Sequence, residues 1–279
     1  MLSVYARRKL INAFNLTASA LTTLLGLFFL FWLLWVLFQK GFSHLDWSLF
    51  TQDMPGPGEE EGGLRNAIVG SLLLTGVGVL IGAPLGVLAG TYLAEFGRHS
   101  WIAHIVRFIN DVLLSAPSIV IGVFVYEIMV APMGRFSGWS GGVALAIIVI
   151  PVVVRTTEDM MRLVPDAMRE AAAALGAPRW KVVTDVVLKA ARSGIMTGIL
   201  LAVARIAGET APLLFTALNN QFFTLDMNQP MGNLPVTIFN FAMGPYDNWH
   251  DLAWAGSLLI TLAVLVLNIL TRFFLRTKK

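Results

Sequence analysis

The sequence predicts an all-α integral membrane protein with six transmembrane helices. Hydrophobic residues make up 56% of the 279 positions against 13% charged, the mean hydropathy is +0.72, and the apolar residues gather into six long runs. That apolar share exceeds what a soluble domain carries. A spanning helix uses about 20 apolar residues, so the length suits one membrane domain with short connections. The pI of about 9.4 would suit nucleic acid, yet the basic residues are scattered between apolar runs, so the expected surroundings are membrane lipid and no nucleic acid. Cysteine is absent, which excludes thiolate metal sites and disulfides.

The first run, Leu16 to Phe38, follows Arg7, Arg8 and Lys9. It is too long for a signal-peptide core and is read as a retained span, with residues 1–15 as a cytoplasmic N-terminus. Residues 39–65, rich in Pro, Gly and acid with the run Glu59 to Glu61, read as a flexible external loop. In the second span, Ala67 to Leu93, Gly78, Gly82, Gly86 and Gly90 recur every four residues and line one face for close packing against another helix. The third, Val112 to Val130, begins beside Asp111 and contains Glu127, and Pro117 should kink it as Pro84 should kink the second. The fourth, Gly142 to Arg155, is short and becomes adequate when extended outward through Trp139 and inward to about Met160. Gly194 to Ala217 and Leu252 to Leu270 complete the set, leaving a long loop at 161–193, another at 219–250 and a tail at 276–279.

Lys and Arg orient the bundle, because cytoplasmic loops hold basic residues. With both termini inside, Arg7, Arg8, Lys9, Arg98, Arg107, Arg155, Arg162, Arg169, Arg179, Lys181, Lys189, Arg192, Arg272, Arg276, Lys278 and Lys279 are cytoplasmic, against Lys40, Arg65 and Arg135 outside. His44, His99, His104 and His250 show no metal-ligand spacing, so no metal site is expected. None of the six lysines follows a glycine, as a P-loop requires, so ATP hydrolysis would have to come from a partner.

Between the fourth and fifth spans, the stretch from Pro165 to Pro178 carries helix signals: Asp166 as a cap, an alanine-rich middle, then Gly176 and Pro178 as a stop. Met168, Ala171, Ala172 and Leu175 share one face. On pattern alone this amphipathic helix could lie on lipid headgroups. Its residues Glu170-Ala171-Ala172 followed by Gly176 resemble the EAA loop of ABC importer permeases, as do Val186 and Leu188 beyond it, although Lys189 stands where that pattern has Pro. The resemblance implies a coupling helix, carried by Arg169, Glu170, Ala171, Ala172, Leu175 and Gly176, that docks in a groove of a cytoplasmic ATPase subunit.

Arg205 lies eleven residues into the fifth span, about 16 Å into a hydrocarbon layer of about 30 Å. An Arg at that depth costs about 2.5 to 3.5 kcal/mol to insert and should face protein or water with a partner. Glu209, four residues on, is expected on the same helix face. The pair could merely pin helices together. It could equally form an anion site, because a guanidinium fork matches phosphate oxygens.

The surrounding Arg205-Ile206-Ala207-Gly208-Glu209-Thr210-Ala211-Pro212-Leu213 resembles the signature of phosphate permease subunits of bacterial ABC importers. Ala116-Pro117-Ser118-Ile119-Val120 before Gly122, and Asn233-Leu234-Pro235 with Ile238-Phe239-Asn240, carry the same likeness, which runs from about Asn66 onward. It implies a permease core over residues 66–275 in the bacterial inner membrane, with Arg205, Glu209 and Thr210 on the substrate pathway. It also implies a second permease subunit, a dimer of ATPase subunits that binds the ATP and Mg, and an external phosphate-binding protein. The chain itself would bind no cofactor and catalyse no reaction alone. A permease for sulfate or molybdate, and a structural membrane subunit without a pathway, are the alternatives. The 219–250 loop, which contains no Lys or Arg but carries Phe222, Phe223, Phe239, Phe241 and Trp249, is either a docking surface or an ordered lid.

Overall fold

A computed structural model describes residues 4–59, 61–97 and 100–276, with side chains through 270. Arg98, His99, Glu60, Lys278 and Lys279 lie outside the described residues, and the side chains of Arg272 and Arg276 are likewise not described. The helices run in order α1 (Val4–Phe42), α2 (Ser48–Thr51), α3 (Arg65–Glu95), α4 (Trp101–Ser115), α5 (Ser118–Val125), α6 (Ala131–Met133), α7 (Gly138–Arg162), α8 (Asp166–Ala174), α9 (Arg179–Lys181), α10 (Leu188–Ile206), α11 (Ala211–Leu214), α12 (Leu234–Ala242) and α13 (Asp247–Arg276). Two π-helical turns, Tyr126–Val130 and Val182–Val187, join α5 to α6 and α9 to α10. Five helices are long and apolar enough to cross a membrane, and α4 with α5–α6 forms a sixth, bent candidate.

The centre of the bundle is the parallel pair α3 and α7. A Cβ added at Gly78, Gly82, Gly86 or Gly90 would stand 2.6 to 2.8 Å from Leu145, Val149, Val153 or Thr157 respectively, so each glycine of one helix receives a side chain of the other. The four-residue spacing therefore becomes a zipper, and α3 continues through Pro84 as one helix. The fourth span extends as expected, from Gly138 to Arg162.

Two spans depart from the sequence reading. Val112 to Val130 is not one helix: α4 and the α5–α6 segment meet at 107° across Ala116 and Pro117. Proline drives its predecessor into extended backbone, and Ala116 sits at φ −66°, ψ 134°. Helix α4 is amphipathic, turning Trp101, Ile105 and Phe108 outward and Ala103 and Asn110 inward. Its Arg107 is bonded to the buried Glu158 of α7 at 2.8 Å and to the Leu93 carbonyl at 3.0 Å.

The fifth span, expected to continue to Ala217, ends its helix at Ile206 and proceeds as irregular chain with the single turn α11. Non-helical backbone at membrane depth requires its polar groups satisfied by protein. Here Leu213 and Leu214 donate to the Thr210 carbonyl, and the Thr216 carbonyl accepts from Ser137 N and Ser140 Oγ.

The segment read as a flexible external loop is tied down. Leu49, Met54 and Leu64 are buried, Arg65 makes a two-pronged bond to Asp53 at 2.9 and 3.0 Å, and helix α1 extends into it through Phe42. The outer loop at 219–250 is also anchored. Asn66 Nδ2 donates to the carbonyls of Asn220 and Gln221, and Asn233 caps α12 through Val236 N. Phe241 is buried while Phe222 and Phe239 stay exposed, so the segment is held in place and presents apolar side chains at its surface.

Candidate functional site

The helix break after α10 brings together the segments that resemble phosphate permeases. Gly122 of α5 meets Pro212, where an added Cβ would stand 2.7 Å from the Pro212 Cα. Met231, two residues before Asn233, donates its amide to the Ala217 carbonyl. Three stretches scattered along the sequence thus form one wall around residues 205–217.

Arg205 occupies the last turn of α10. Gly194 abuts Met160 of α7 and Gly198 abuts Thr156. Continuing that antiparallel register sets Arg205 level with Val149, close to the middle of the Gly138–Arg162 helix. Arg205 thus stands beside the middle of α7, and its own helix stops there instead of passing through as the sequence reading expects. Glu209 is consequently not on the same helix face. It lies in the link between α10 and α11, its amide bonded to the Ile206 carbonyl, and its carboxylate is 4.0 Å from Arg205 Nε. The Arg205 side chain is 44% exposed and that of Glu209 17%. No other ion pair or hydrogen bond holds Arg205 among the described residues, so most of its five N–H donors remain open to a ligand. Thr210, partly buried, takes the Leu213 and Leu214 amides on its carbonyl. Glu127 lies apart from this group, exposed in the π turn after α5, and Asp111 faces Arg155 at 3.9 Å.

The second candidate region is α8 and its surroundings. Gly176 has φ +81°, Ala177 N bonds to the Ala172 carbonyl and Gly176 N to that of Ala173. This is the Schellman closure, which glycine permits and which the sequence anticipated. The start differs: Pro165 holds the cap position without a side-chain bond, and Asp166 is already helical, accepting from Arg169 Nη1 at 3.2 Å. Met168, Glu170, Ala171 and Leu175 are exposed and Ala172 is half-buried; Leu175, at 89% exposure, is an apolar side chain offered outward.

Arg169, grouped with the docking residues in the sequence reading, folds inward. Its Nε and Nη2 reach Glu95 Oε1 at 3.2 and 2.7 Å, and Met161 and Val164 carbonyls take further donors. Where Lys189 replaces the expected proline, the chain runs on from Arg179 through the π turn into α10, with Lys189 paired to Asp185 at 3.1 Å.

The sequence reading passes over Glu95 and Glu158. The available signal was their placement: acids at the inner ends of spans, facing arginine-rich segments, where an unpaired carboxylate would be costly to bury.

Residues 82–277 match the family described as the binding-protein-dependent transport system inner membrane component. The phosphate transport system permease protein PstA of Pasteurella multocida is 58% identical over 97% of this chain and 96% of its own length. The protein of the same name from Yersinia pestis is 57% identical over 98% and 93%. Among solved structures, a bacterial ABC transporter involved in import of the acidic polysaccharide alginate aligns with TM-score 0.67 at 15% identity, over 98% of this chain and 99% of that one, a likeness of fold alone. Matched in sequence over nearly its full length and in fold over the whole bundle, the chain belongs to the inner membrane component family of binding-protein-dependent transport systems and groups with the PstA phosphate permeases.

Proposed function

We propose that this chain is one of two permease subunits enclosing the phosphate pathway of an ATP-driven importer in the bacterial inner membrane. The observation that carries the reading is Arg205, a half-exposed guanidinium at a helix break near mid-depth, with one partner at the 4.0 Å limit. A buried structural arginine uses its donors up; this one holds them ready for an oxyanion. Discontinuous helices near the midplane are where transporters bind substrate. Glu209 holds the guanidinium while the pathway is empty and accepts the proton of a hydrogen phosphate when it is occupied. Thr210 shapes the same turn.

The remaining parts follow from that role. Both termini face the cytoplasm, which sets α8 on the inner side as the coupling helix. Glu170, Ala171, Ala172, Leu175 and Gly176 form the face for a partner ATPase subunit, which binds ATP and Mg and performs the hydrolysis. A second, similar permease closes the other side of the pathway, and an external binding protein delivers phosphate near the 219–250 loop. Identity of 58% to a phosphate permease disfavours sulfate or molybdate as the cargo, and an arginine left this open has no use in a purely structural subunit.

Arg205→Gln in the reconstituted complex tests the reading. We expect uptake of radiolabelled phosphate to fall by roughly 10- to 100-fold, the worth of charge-assisted hydrogen bonds, with copurification of all subunits unchanged. Unchanged uptake would return Arg205 to a packing role.

A further inference from the structure

We infer that Glu95 is the positioning residue through which the coupling helix moves the membrane bundle, making α3, not α10 alone, the element that receives the stroke; this rests on the coupling reading of α8. Helix α8 fully buries none of its residues and rests only the half-buried Ala172 on the cluster around Met161, Val164 and Val182, so its apolar contact is thin and polar links supplement it. Two arginines do the holding, one before its C-terminal closure and one after, and both grip the end of α3. Arg169, 13% exposed, sets two donors on the 8%-exposed Glu95 carboxylate and spends others on the Met161 and Val164 carbonyls at the end of α7. Arg179 donates to the Glu95 carbonyl at 2.7 Å and lays its guanidinium over the Phe96 ring at 4.5 Å. A cavity of about 400 Å³ bordered by Glu95, Arg169, Arg179 and Val182 opens beside this contact, and the two arginines bridge its rim.

The ends of α3, α7 and α8 therefore meet in one guanidinium. Above them α3 and α7 are zipped by the glycine stripe, and a pair packed this closely moves as a unit. Displacing α8 shifts that unit against α10, whose Gly194 and Gly198 rest on Met160 and Thr156, and the shift arrives at Arg205 as a change of level. Charge on Glu95 strengthens the grip, because bonds from a guanidinium to an ionised carboxylate are roughly twice as strong as bonds to a neutral acceptor, and the amide of Gln would turn an N–H toward Arg169 where Oε2 now accepts at 3.4 Å.

The test uses the complete reconstituted complex and reads phosphate transported per ATP hydrolysed. Glu95→Gln is expected to lower that ratio at least tenfold while ATP hydrolysis and copurification of the ATPase persist, and Glu95→Asp to recover part of it. A ratio equal to the parent's overturns the proposal. Should Glu95→Gln fail to assemble, Arg179→Met removes the other arm: a lowered ratio supports the clamp, a parental one overturns it. Leu175→Asp, on the exposed face, addresses the coupling reading separately. If it leaves ATPase association and transport intact, that reading fails whatever Glu95 does; if it releases the ATPase while Glu95→Gln changes nothing, the reading stands and the clamp is wrong.

Discussion

Arg169 and Arg205 lie 36 residues apart in one continuous stretch, and the chain treats them in opposite ways. Arg169 is folded into a closed set of acceptors, a carboxylate and two backbone carbonyls among them. Arg205 touches one carboxylate at 4.0 Å and leaves the rest of its fork open. The difference separates an arginine that holds the protein together from one kept available for something that arrives. Residue type does not distinguish them; donor saturation does.

Deleting each charge is the strongest way to break the comparison. Arg169→Met leaves Glu95 buried and uncompensated, which should destabilise the assembled complex by about 3 to 5 kcal/mol, read as a lowered thermal unfolding midpoint in detergent. Arg205→Met should change that midpoint little, within about 0.5 kcal/mol, while abolishing uptake. Similar losses of stability for both would erase the distinction. A finer test keeps the charge and removes the fork: Arg205→Lys should raise the phosphate concentration for half-maximal uptake roughly tenfold, with assembly intact.

Glu209→Gln sharpens the comparison from the partner's side. With the carboxylate gone, a fully ionised anion no longer meets repulsion beside Arg205, so sulfate should inhibit phosphate uptake several-fold more strongly than in the parent. No change in sulfate inhibition would mean Glu209 takes no part in selection. The smallest effect lies outside the bundle, in the 219–250 loop. The Asn228 backbone amide, then its side chain, hold the Asp226 carboxyl below its ordinary range. A lowered pKa contributes stability that is present above the ordinary carboxylate value and is lost as pH falls through the depressed one. The protection factor of the Asn228 amide, the exchange rate of an unprotected amide at the same pH divided by its own, should therefore fall in strong acid and stay flat across neutral pH.

Much of this was legible beforehand because it follows from local rules. The glycine period of α3 announced a close helix contact, and Gly176 announced the left-handed stop after α8. What escaped depends on tertiary contacts that hydropathy does not record. Pro117 within an apolar run indicated a kink, but not a turn of the chain by 107°, and nothing in the fifth run showed that α10 would end at Ile206 with later backbone groups satisfied by Ser137 and Ser140. The inward fold of Arg169 was invisible for the same reason: Glu95 is 74 residues away in sequence, and nothing in the 165–178 stretch names its acceptor.

The first and last long helices meet at the C-terminal end of α1, where Gly41 is so close to Leu258 that an added Cβ would stand 2.7 Å from it. Gly41 is the buried residue of α1, and the most apolar stretch of that helix has no buried residue among those described. During synthesis, α1 must therefore wait in lipid while the intervening helices emerge and assemble. Its docking closes a loop of more than two hundred residues, a step whose entropic cost grows only slowly with length. Release of α13 from the ribosome thus sets the earliest moment at which the bundle is complete, and a chain arrested before Trp254 and Leu258 would carry its zipper but no seat for its own beginning.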